Sequence, residues 1–379
     1  MFTFEVSATE PAGRARCGVL TTPHGMVHTP AFMPVGTKGS VKGLWPHQVR
    51  DSGTELLLAN TYHLAQRPGA EFVERLGGLH AFIGWAGPIL TDSGGYQVFS
   101  LAELNRITDD GVTFRSHIDG QWITLDPHSA TSIQNQLGAD IIMAFDQCPA
   151  GDADRPTVAR AVQRTIRWAA QCKASHRRPH DQALFGIVQG GVFHDLRRTC
   201  AQRLVELDFP GYAIGGLSVG ETHTQMIEVL NELEPHLPAS RPRYLMGVGM
   251  PGDILAAVRA GVDMFDCVLP TRNGRNAYAF TATGALRLRN EQYRDQAQPL
   301  EATCPCPTCR QFSRAYLRHL FQVEEMLGPI LVTVHNLWFF QRFMARLRDL
   351  IPTGSWEKIL VEFPVAGEPG PGDAAADQA

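Results

Sequence analysis

Residues 264–276 read Met264-Phe265-Asp266-Cys267-Val268-Leu269-Pro270-Thr271-Arg272-Asn273-Gly274-Arg275-Asn276. The stretch opens as an apolar run of strand type, carries one acid in its middle, and at Pro270 is expected to break into a turn bearing two arginines around a glycine. An aspartate inside an apolar strand is costly unless its charge has a use or a partner, because an unpaired carboxylate in a dry site takes up a proton or destabilises the fold. Capping the turn at Thr271 is the ordinary role for such a residue. Arg272 and Arg275, placed where they can hold a phosphate beside the carboxylate, favour another: Asp266 is the candidate reacting group.

This run is the last of eight strand candidates, at 31–35, 56–60, 88–93, 141–146, 184–189, 212–217, 244–248 and 264–269. Helix candidates at 68–76, 128–137, 157–174, 196–207, 224–233 and 252–260 alternate with them, with Asp126 and Asp195 as start signals. Regular βα alternation implies a parallel sheet, and eight units over about 250 residues is the size of an α/β (β/α)₈ TIM barrel. The competitor is a doubly wound open sheet, but no G-x-G-x-x-G follows the first strand. The connection 99–125 is out of pattern and reads as an inserted β-hairpin, with Val112-Thr113-Phe114 and Asp119-Gly120 before Trp122-Ile123. The expected division is a barrel with the catalytic pocket over 1–270, then an arginine-rich segment, a zinc subdomain and a closing helix over 271–363. The Pro/Gly/Ala/Asp-rich stretch 364–379 is expected to be a disordered tail.

The chain has 379 residues, 44% of them hydrophobic and 19% charged, enough to bury a large core. No basic N-terminal region precedes an apolar core, and no apolar run approaches the roughly 20 residues of a membrane span, so a cytoplasmic protein is expected. The net charge is −4, yet from Thr271 to Arg318 eight arginines face three acids (Glu291, Asp295 and Glu301), a local balance of +5. Arginine-rich usage alone can give such a surface, since the chain has only four lysines, but the excess suits a phosphate-bearing partner.

Active sites of barrels of this kind collect at the C-terminal ends of the strands. There the third run ends Thr91-Asp92-Ser93-Gly94-Gly95-Tyr96, the fourth Phe145-Asp146-Gln147-Cys148, the fifth Val188-Gln189-Gly190-Gly191 and the sixth Gly215-Gly216-Leu217-Ser218-Val219-Gly220-Glu221. One such Asp is readily a helix cap. Asp92, Asp146 and Asp266 together, with Gln189 and three Gly-Gly pairs that let backbone approach a ligand, read instead as one pocket. Carboxylates without a cofactor motif suit displacement at an acetal carbon, where one attacks and another moves a proton at the leaving group. An Asp and a Gln amide match the donor and acceptor edge of guanine, and Tyr96 and Met246 suit its two faces.

Cys304-Pro305-Cys306-Pro307-Thr308-Cys309 is a poor disulfide candidate in a cytoplasmic chain and a good set of soft ligands. With His335 it makes a tetrahedral Cys3His zinc site, one Zn2+ per subunit, structural because no position is left open. His335 is expected to precede a helix over 337–347. Cys17, Cys172 and Cys200 read as ordinary buried residues.

TDSGGYQ, FDQC, FGIVQGG, GGLSVGE, YLMGVG, MFDCVLPTRNGRN and CPCPTC with a distant His occur in that order. Together they resemble the tRNA-guanine transglycosylases of the bacterial queuosine type, over nearly the whole chain to about residue 350. The resemblance implies a zinc-bearing TIM barrel, working as a homodimer, that exchanges guanine at the wobble position of GUN-anticodon tRNAs for a 7-deazaguanine. It implies that Asp266 is the nucleophile on ribose C1′ and Asp92 the general acid/base. Ser93, Gly94, Gly95, Tyr96, Asp146, Cys148, Gln189, Gly216, Leu217, Val219 and Met246 then belong to the base pocket. Gly247, Val248, Gly249, Met250, Pro251, Gly252 and Asp253, with Thr271, Arg272, Asn273, Gly274 and Arg275, fall in segments that contact the tRNA anticodon arm.

Val219 stands where relatives that take queuine carry a glycine, and Cys148 sits nearby, so the smaller preQ1 (7-aminomethyl-7-deazaguanine) is the expected incoming base. Queuine exchange and a non-catalytic tRNA-binding subunit are the alternatives, the second expected to lack the nucleophile that is present here. A zinc hydrolase on this barrel would need a His-x-His on the first strand, which His28-Thr29-Pro30 does not supply. An ordinary glycosidase has no use for a structural zinc beside a cluster of arginines.

Overall fold

A period of two runs through all eight predicted strands and sorts their side chains into two cores. The computed structural model describes residues 2–96, 105–116, 118 and 120–368. It opens with an antiparallel sheet of β1 (Thr3–Thr9), β2 (Arg16–Thr22) and β3 (Gly25–Thr29). The barrel then begins with β4 (Ala31–Pro34), α1 (Pro46–Asp51), β5 (Leu57–Ala59), the short helices α2 (Thr61–Gln66), α3 (Ala70–Arg75) and α4 (Gly78–Ile83), and β6 (Ile89–Thr91). An inserted antiparallel sheet of β7 (Asn105–Ile107), β8 (Val112–Arg115) and β9 (Trp122–Leu125) follows. Regular alternation resumes with α5 (Pro127–Leu137), β10 (Ile141–Met143), α6 (Arg155–Ser175), β11 (Ala183–Val188), α7 (His194–Glu206) and β12 (Tyr212–Ile214). It finishes with α8 (His223–Leu233), β13 (Arg243–Leu245), α9 (Pro251–Arg259) and β14 (Met264–Cys267). Beyond the barrel lie α10 (Leu269–Arg275), the hairpin β15 (Tyr278–Thr281) and β16 (Gly284–Arg287), α11 (Pro307–Gln311), α12 (Arg314–Gln322), α13 (Leu327–Leu350) and α14 (Trp356–Glu362).

The barrel strands form one sheet in the order β4-β14-β13-β12-β11-β10-β6-β5, every pair parallel. A parallel bridge between Val35 and Leu58, with the Gly36 N–H donating to Leu58 O at 2.7 Å, joins its two ends. Met33, Leu58, Leu90, Met143, Phe185, Tyr244 and Met264 share the inner core, while their neighbours Phe32, Leu57, Ile89, Ile142, Leu184, Leu245 and Phe265 face the helices. The inner core also takes in Leu20 and Val27 of the N-terminal sheet, with Phe2 and Phe4 packed against it, so that sheet seals the floor of the barrel. Arg16 fixes it there through two hydrogen bonds to the buried Asp263, at 2.9 and 2.6 Å. Removing one partner of such a pair costs about 3–5 kcal/mol, because the other charge is left buried alone.

Several expectations are corrected. The turn expected after Pro270 is α10: Pro270 sits in the first helical turn, where its missing N–H costs nothing and its fixed φ favours the helix. Gly274 lets α10 lie against α13, since a Cβ there would meet Thr333 Oγ1 at 2.5 Å. His335 lies inside α13 rather than before it. Asp195 does not cap α7; Phe193 holds that position, and Asp195 sits in the first turn, paired with Arg155. The insertion has three strands, β7 having been missed, and the parts of the hairpin reading at 99–104, 117 and 119 lie outside the described residues. Residues Pro364–Gly367, read as the start of a disordered tail, form a 3₁₀ turn whose Val365 N–H donates to Ala282 O at 3.0 Å. The remainder from 369 lies outside the described residues.

Candidate active site

Extending the period of two past the strand ends brings the polar residues together. Asn60, Asp92, Gln189, Met246 and Asp266 each stand two residues beyond an inward-facing Leu58, Leu90, Ile187, Tyr244 or Met264. All five line one cavity of about 380 Å³ at the C-terminal mouth, together with Ser93, Tyr96, Asp146, Cys148, Gly216, Leu217, Val219, Gly247 and Val268. Gly94 and Gly95 stay outside the lining; the Gly95 N–H donates to Ser93 Oγ at 3.1 Å and shapes the loop.

The three carboxylates have different surroundings. Asp266 Oδ1 accepts from the Tyr244 hydroxyl at 2.6 Å and from the Gly247 N–H at 2.8 Å, whereas Oδ2 has no partner among the described residues. Burial raises its pKa above the ordinary aspartate value, and those two donors oppose the rise. The Asp92 carboxylate accepts from Thr61 N at 2.7 Å and Asn60 Nδ2 at 2.5 Å, and its own carbonyl takes the Thr61 hydroxyl at 2.6 Å. Asp146 accepts from Ser93 Oγ at 3.0 Å and Gln189 Nε2 at 2.8 Å; burial again raises its pKa against these bonds. Because the acceptor Asp146 turns the Gln189 NH2 toward itself, Gln189 Oε1 is left buried with no donor among the described residues. A buried carbonyl oxygen in that state is completed by a ligand N–H. Burial pushes the Cys148 thiol up to about 12, so it lines the cavity as a neutral group.

Gly216 allows the close packing of this wall. At φ +63 a Cβ there would meet Gln189 Oε1 at 2.4 Å, so any side chain would both strain the backbone and displace the amide. Beyond it, the Glu221 carboxylate accepts the N–H groups of Ser218 and, at 3.1 Å, Val219, which folds this loop back on itself.

The two segments proposed to meet RNA divide by exposure. Gly247 lies open at the mouth, and Met250 and Asp253 are half-buried, the latter paired with His223 at 2.5 Å; Val248, Gly249, Pro251 and Gly252 are buried. In α10, Arg272 is exposed and Asn273 and Arg275 are half-buried, whereas Thr271 and Gly274 are buried. Lys42 is held below the ordinary lysine value by partial burial and then by Arg275 and Lys38, and Arg275 is lowered by burial and then by Arg272. These cations therefore lie close enough to repel one another, as an anion-binding face requires.

Cys304, Cys306, Cys309 and His335 form a buried group whose ligand atoms all lie within 4.8 Å of one another. His335 Nδ1 is 3.6, 3.5 and 3.3 Å from the three sulfurs. A tetrahedral ion with the usual zinc–sulfur and zinc–nitrogen bonds needs edges of roughly 3.5 Å, so the group fits a metal. His335 Nε2 donates to Phe280 O at 2.7 Å, which leaves Nδ1 as the free lone pair.

A second grouping sits at the floor. Buried Asp140 accepts from His24 Nδ1 at 2.8 Å, His80 Nε2 at 3.0 Å and Ile89 N at 2.9 Å. The two rings are stacked, with centroids 3.5 Å apart and planes within 12°. A metal must lie in the plane of each imidazole that binds it, and two stacked planes share no such point. The grouping is a hydrogen-bonded clasp between the N-terminal sheet and the barrel.

The sequence reading missed Asn60, Thr61, Tyr244, Arg197 and Glu221. Asn60 and Tyr244 were within reach, since the period of two alone turns them inward. Arg197 was hidden in a helix that looks amphipathic, although it shares the buried stripe of Cys200, Ala201 and Leu204 at spacings of three, four and seven.

No helix among the described residues is long and apolar enough to cross a membrane. The family model for Queuine tRNA-ribosyltransferase matches residues 11–366. A curated Queuine tRNA-ribosyltransferase of Symbiobacterium thermophilum is 52% identical over 368 residues, 96% of this chain and 92% of the relative. Those of Novosphingobium aromaticivorans (51%, covering 96% and 97%) and Solidesulfovibrio magneticus (53%, covering 93% and 94%) are as similar.

Proposed function

The chain belongs to the queuine tRNA-ribosyltransferase family, a family of pentosyltransferases, and from that premise we propose a base exchange at the wobble guanine of GUN-anticodon tRNAs. The observation that carries the proposal is the meeting of Asp266, Asp92, Asp146 and Gln189 on one cavity large enough for a purine. Asp266 Oδ2 attacks ribose C1′ while Tyr244 and Gly247 hold Oδ1, and the C1′–N9 bond breaks toward guanine. Asp92 donates the proton that the departing purine takes up. The incoming base returns a proton to Asp92, and its nitrogen displaces Asp266 from C1′. Two successive inversions give net retention and ping-pong kinetics.

Asp146 and Gln189 Oε1 present acceptors to the N–H donors of the guanine edge, and the amides of Gly216 and Leu217 present donors to its carbonyl. Tyr96 and Met246 cover its faces. We read the incoming base as preQ1, because Val219, in place of a glycine, and Cys148 both line the wall of the cavity. Cys304, Cys306, Cys309 and His335 would hold a Zn2+ that ties α13 to the cysteine knuckle, a structural role because four protein ligands would leave no position open for chemistry. Arg272 and Arg275 draw in the anticodon arm. The homodimer rests on the resemblance alone, and sedimentation velocity tests it.

The functional test is incorporation of labelled guanine into an unmodified GUN-anticodon tRNA, followed by chase with preQ1 or queuine. Incorporation chased by preQ1 in preference to queuine is expected. No incorporation would return the chain to a binding-subunit role, and an equal chase by queuine would overturn the preQ1 assignment.

A further inference from the structure

The buried face of α7 carries a cation that the base exchange above does not use. Arg197 is 1% exposed and makes no ion pair among the described residues. Its Nε donates to Gly191 O at 2.8 Å, Nη1 to Val188 O at 3.0 Å and Gly215 O at 2.7 Å, and Nη2 to Gly216 O at 3.0 Å. Those four carbonyls end the two neighbouring strands β11 and β12 and open the loops beyond them.

We propose that Arg197 is the positioning residue of the base-reading loop: it turns the Gly215 and Gly216 carbonyls downward so that the amides of Gly216 and Leu217 face the purine. The inference rests on the exchange reading and deepens it. A trans peptide unit points its C=O and N–H in opposite directions. Holding the carbonyls of Gly215 and Gly216 against Arg197 therefore turns the N–H groups of Gly216 and Leu217 away from it. Both of those residues line the cavity and Arg197 does not. The same guanidinium holds Val188 O, one residue before Gln189, so the amide and the backbone donors are set by one group.

Two observations make a purely structural role a poor account. Burying a charge that has only neutral partners is costly, and an apolar residue of similar volume would pack there more cheaply. Burial lowers the guanidinium to about 10, which still leaves it charged at neutral pH. Second, the four carbonyls are gathered on three nitrogens of one planar group. A lysine ammonium has three donors on one atom and cannot span four carbonyls that a planar guanidinium reaches from three nitrogens.

The test compares wild type with Arg197→Met and Arg197→Lys. Guanine binding is measured calorimetrically without tRNA, and KM is measured separately for guanine and for tRNA at matched folded fraction. Arg197→Met is expected to raise the guanine Kd and KM roughly tenfold or more, as for loss of hydrogen bonds to a charged group, with the tRNA KM changed less than about twofold. Arg197→Lys should fall between the two, and it carries the test by itself if the methionine variant does not fold. A folded variant with unchanged guanine Kd and only a lowered melting temperature would overturn the inference. So would guanine and tRNA KM values that rise together, the mark of general loosening. Wild-type enzyme that binds no guanine would overturn the exchange reading and this inference with it, whereas wild-type binding beside an unchanged variant would overturn this inference alone.

Discussion

The two ends of the barrel each bury carboxylates and treat them in opposite ways. At the mouth, burial outweighs the hydrogen bonds to Asp266 and Asp146 and leaves both above the ordinary aspartate value. At the floor, burial also pushes Asp140 up, but the bonds from His80, His24 and the Ile89 N–H outweigh it and the value falls. What separates them is donor count: four donors answer Asp140, while Asp266 receives two on one oxygen and keeps the other open. A carboxylate that is fully satisfied stabilises a fold, and one left incomplete can react.

The largest effect expected from this contrast is at Asp266. Asp266→Asn should lower exchange by at least about 10³-fold without lowering the melting temperature, because the variant removes a poorly compensated buried charge. A variant that kept activity but lost stability would give the mouth the role assigned to the floor. Asp140→Asn should do the reverse. It weakens charge-assisted bonds to His24 and His80 and should cost about 2 kcal/mol in chemical denaturation, with kcat per folded enzyme close to wild type.

Acid sharpens the same comparison. As the proposed nucleophile Asp266 must be ionised, and burial raises its folded pKa, so exchange should fall on its acid limb above the ordinary aspartate value of about 4. That protonation does not unfold the protein, because a raised folded pKa means that the ionised form costs stability and proton uptake relieves the cost. Asp140 has the opposite sign: with its folded pKa depressed, its stabilising contribution is complete above the unfolded value and is lost only as pH falls through the lower folded one. A pH range just above the ordinary aspartate value of about 4 should therefore exist where exchange is reduced and the fold persists, checked by rate and circular dichroism on the same samples. Coincident loss of both would remove the distinction between the two ends. The smallest effect is electrostatic. Arg272→Ala should weaken tRNA binding several-fold and reduce the salt slope by about one unit, leaving kcat intact.

How much of this was legible in the sequence follows from which interactions are local. The eight barrel strands were found because a period of two and the turn residues after each run are properties of a few neighbouring residues. The same period carries Asp92, Gln189 and Asp266 inward, so the mouth is legible in the chain itself. The floor is not, since Asp140 is defined by His24 and His80, 116 and 60 residues away in sequence. The N-terminal sheet was missed for the same reason, its apolar side having meaning only against the inside of the barrel. Pro270 misled because proline both ends strands and starts helices, and packing against α13 decides between them. Arg197 was missed because its partners are carbonyls, so the buried stripe it shares with Cys200, Ala201 and Leu204 gives no hint of what it holds.

The central claim is that Asp266 is left incomplete in order to form a bond, and a denaturing gel tests it most directly. Wild type and Asp266→Asn are each incubated with unmodified GUN-anticodon tRNA, with no incoming base, and resolved for a protein–RNA adduct. An adduct in the wild type that is absent from Asp266→Asn is the predicted result. An adduct that persists in Asp266→Asn, or maps to Asp92 or Asp146, would contradict it.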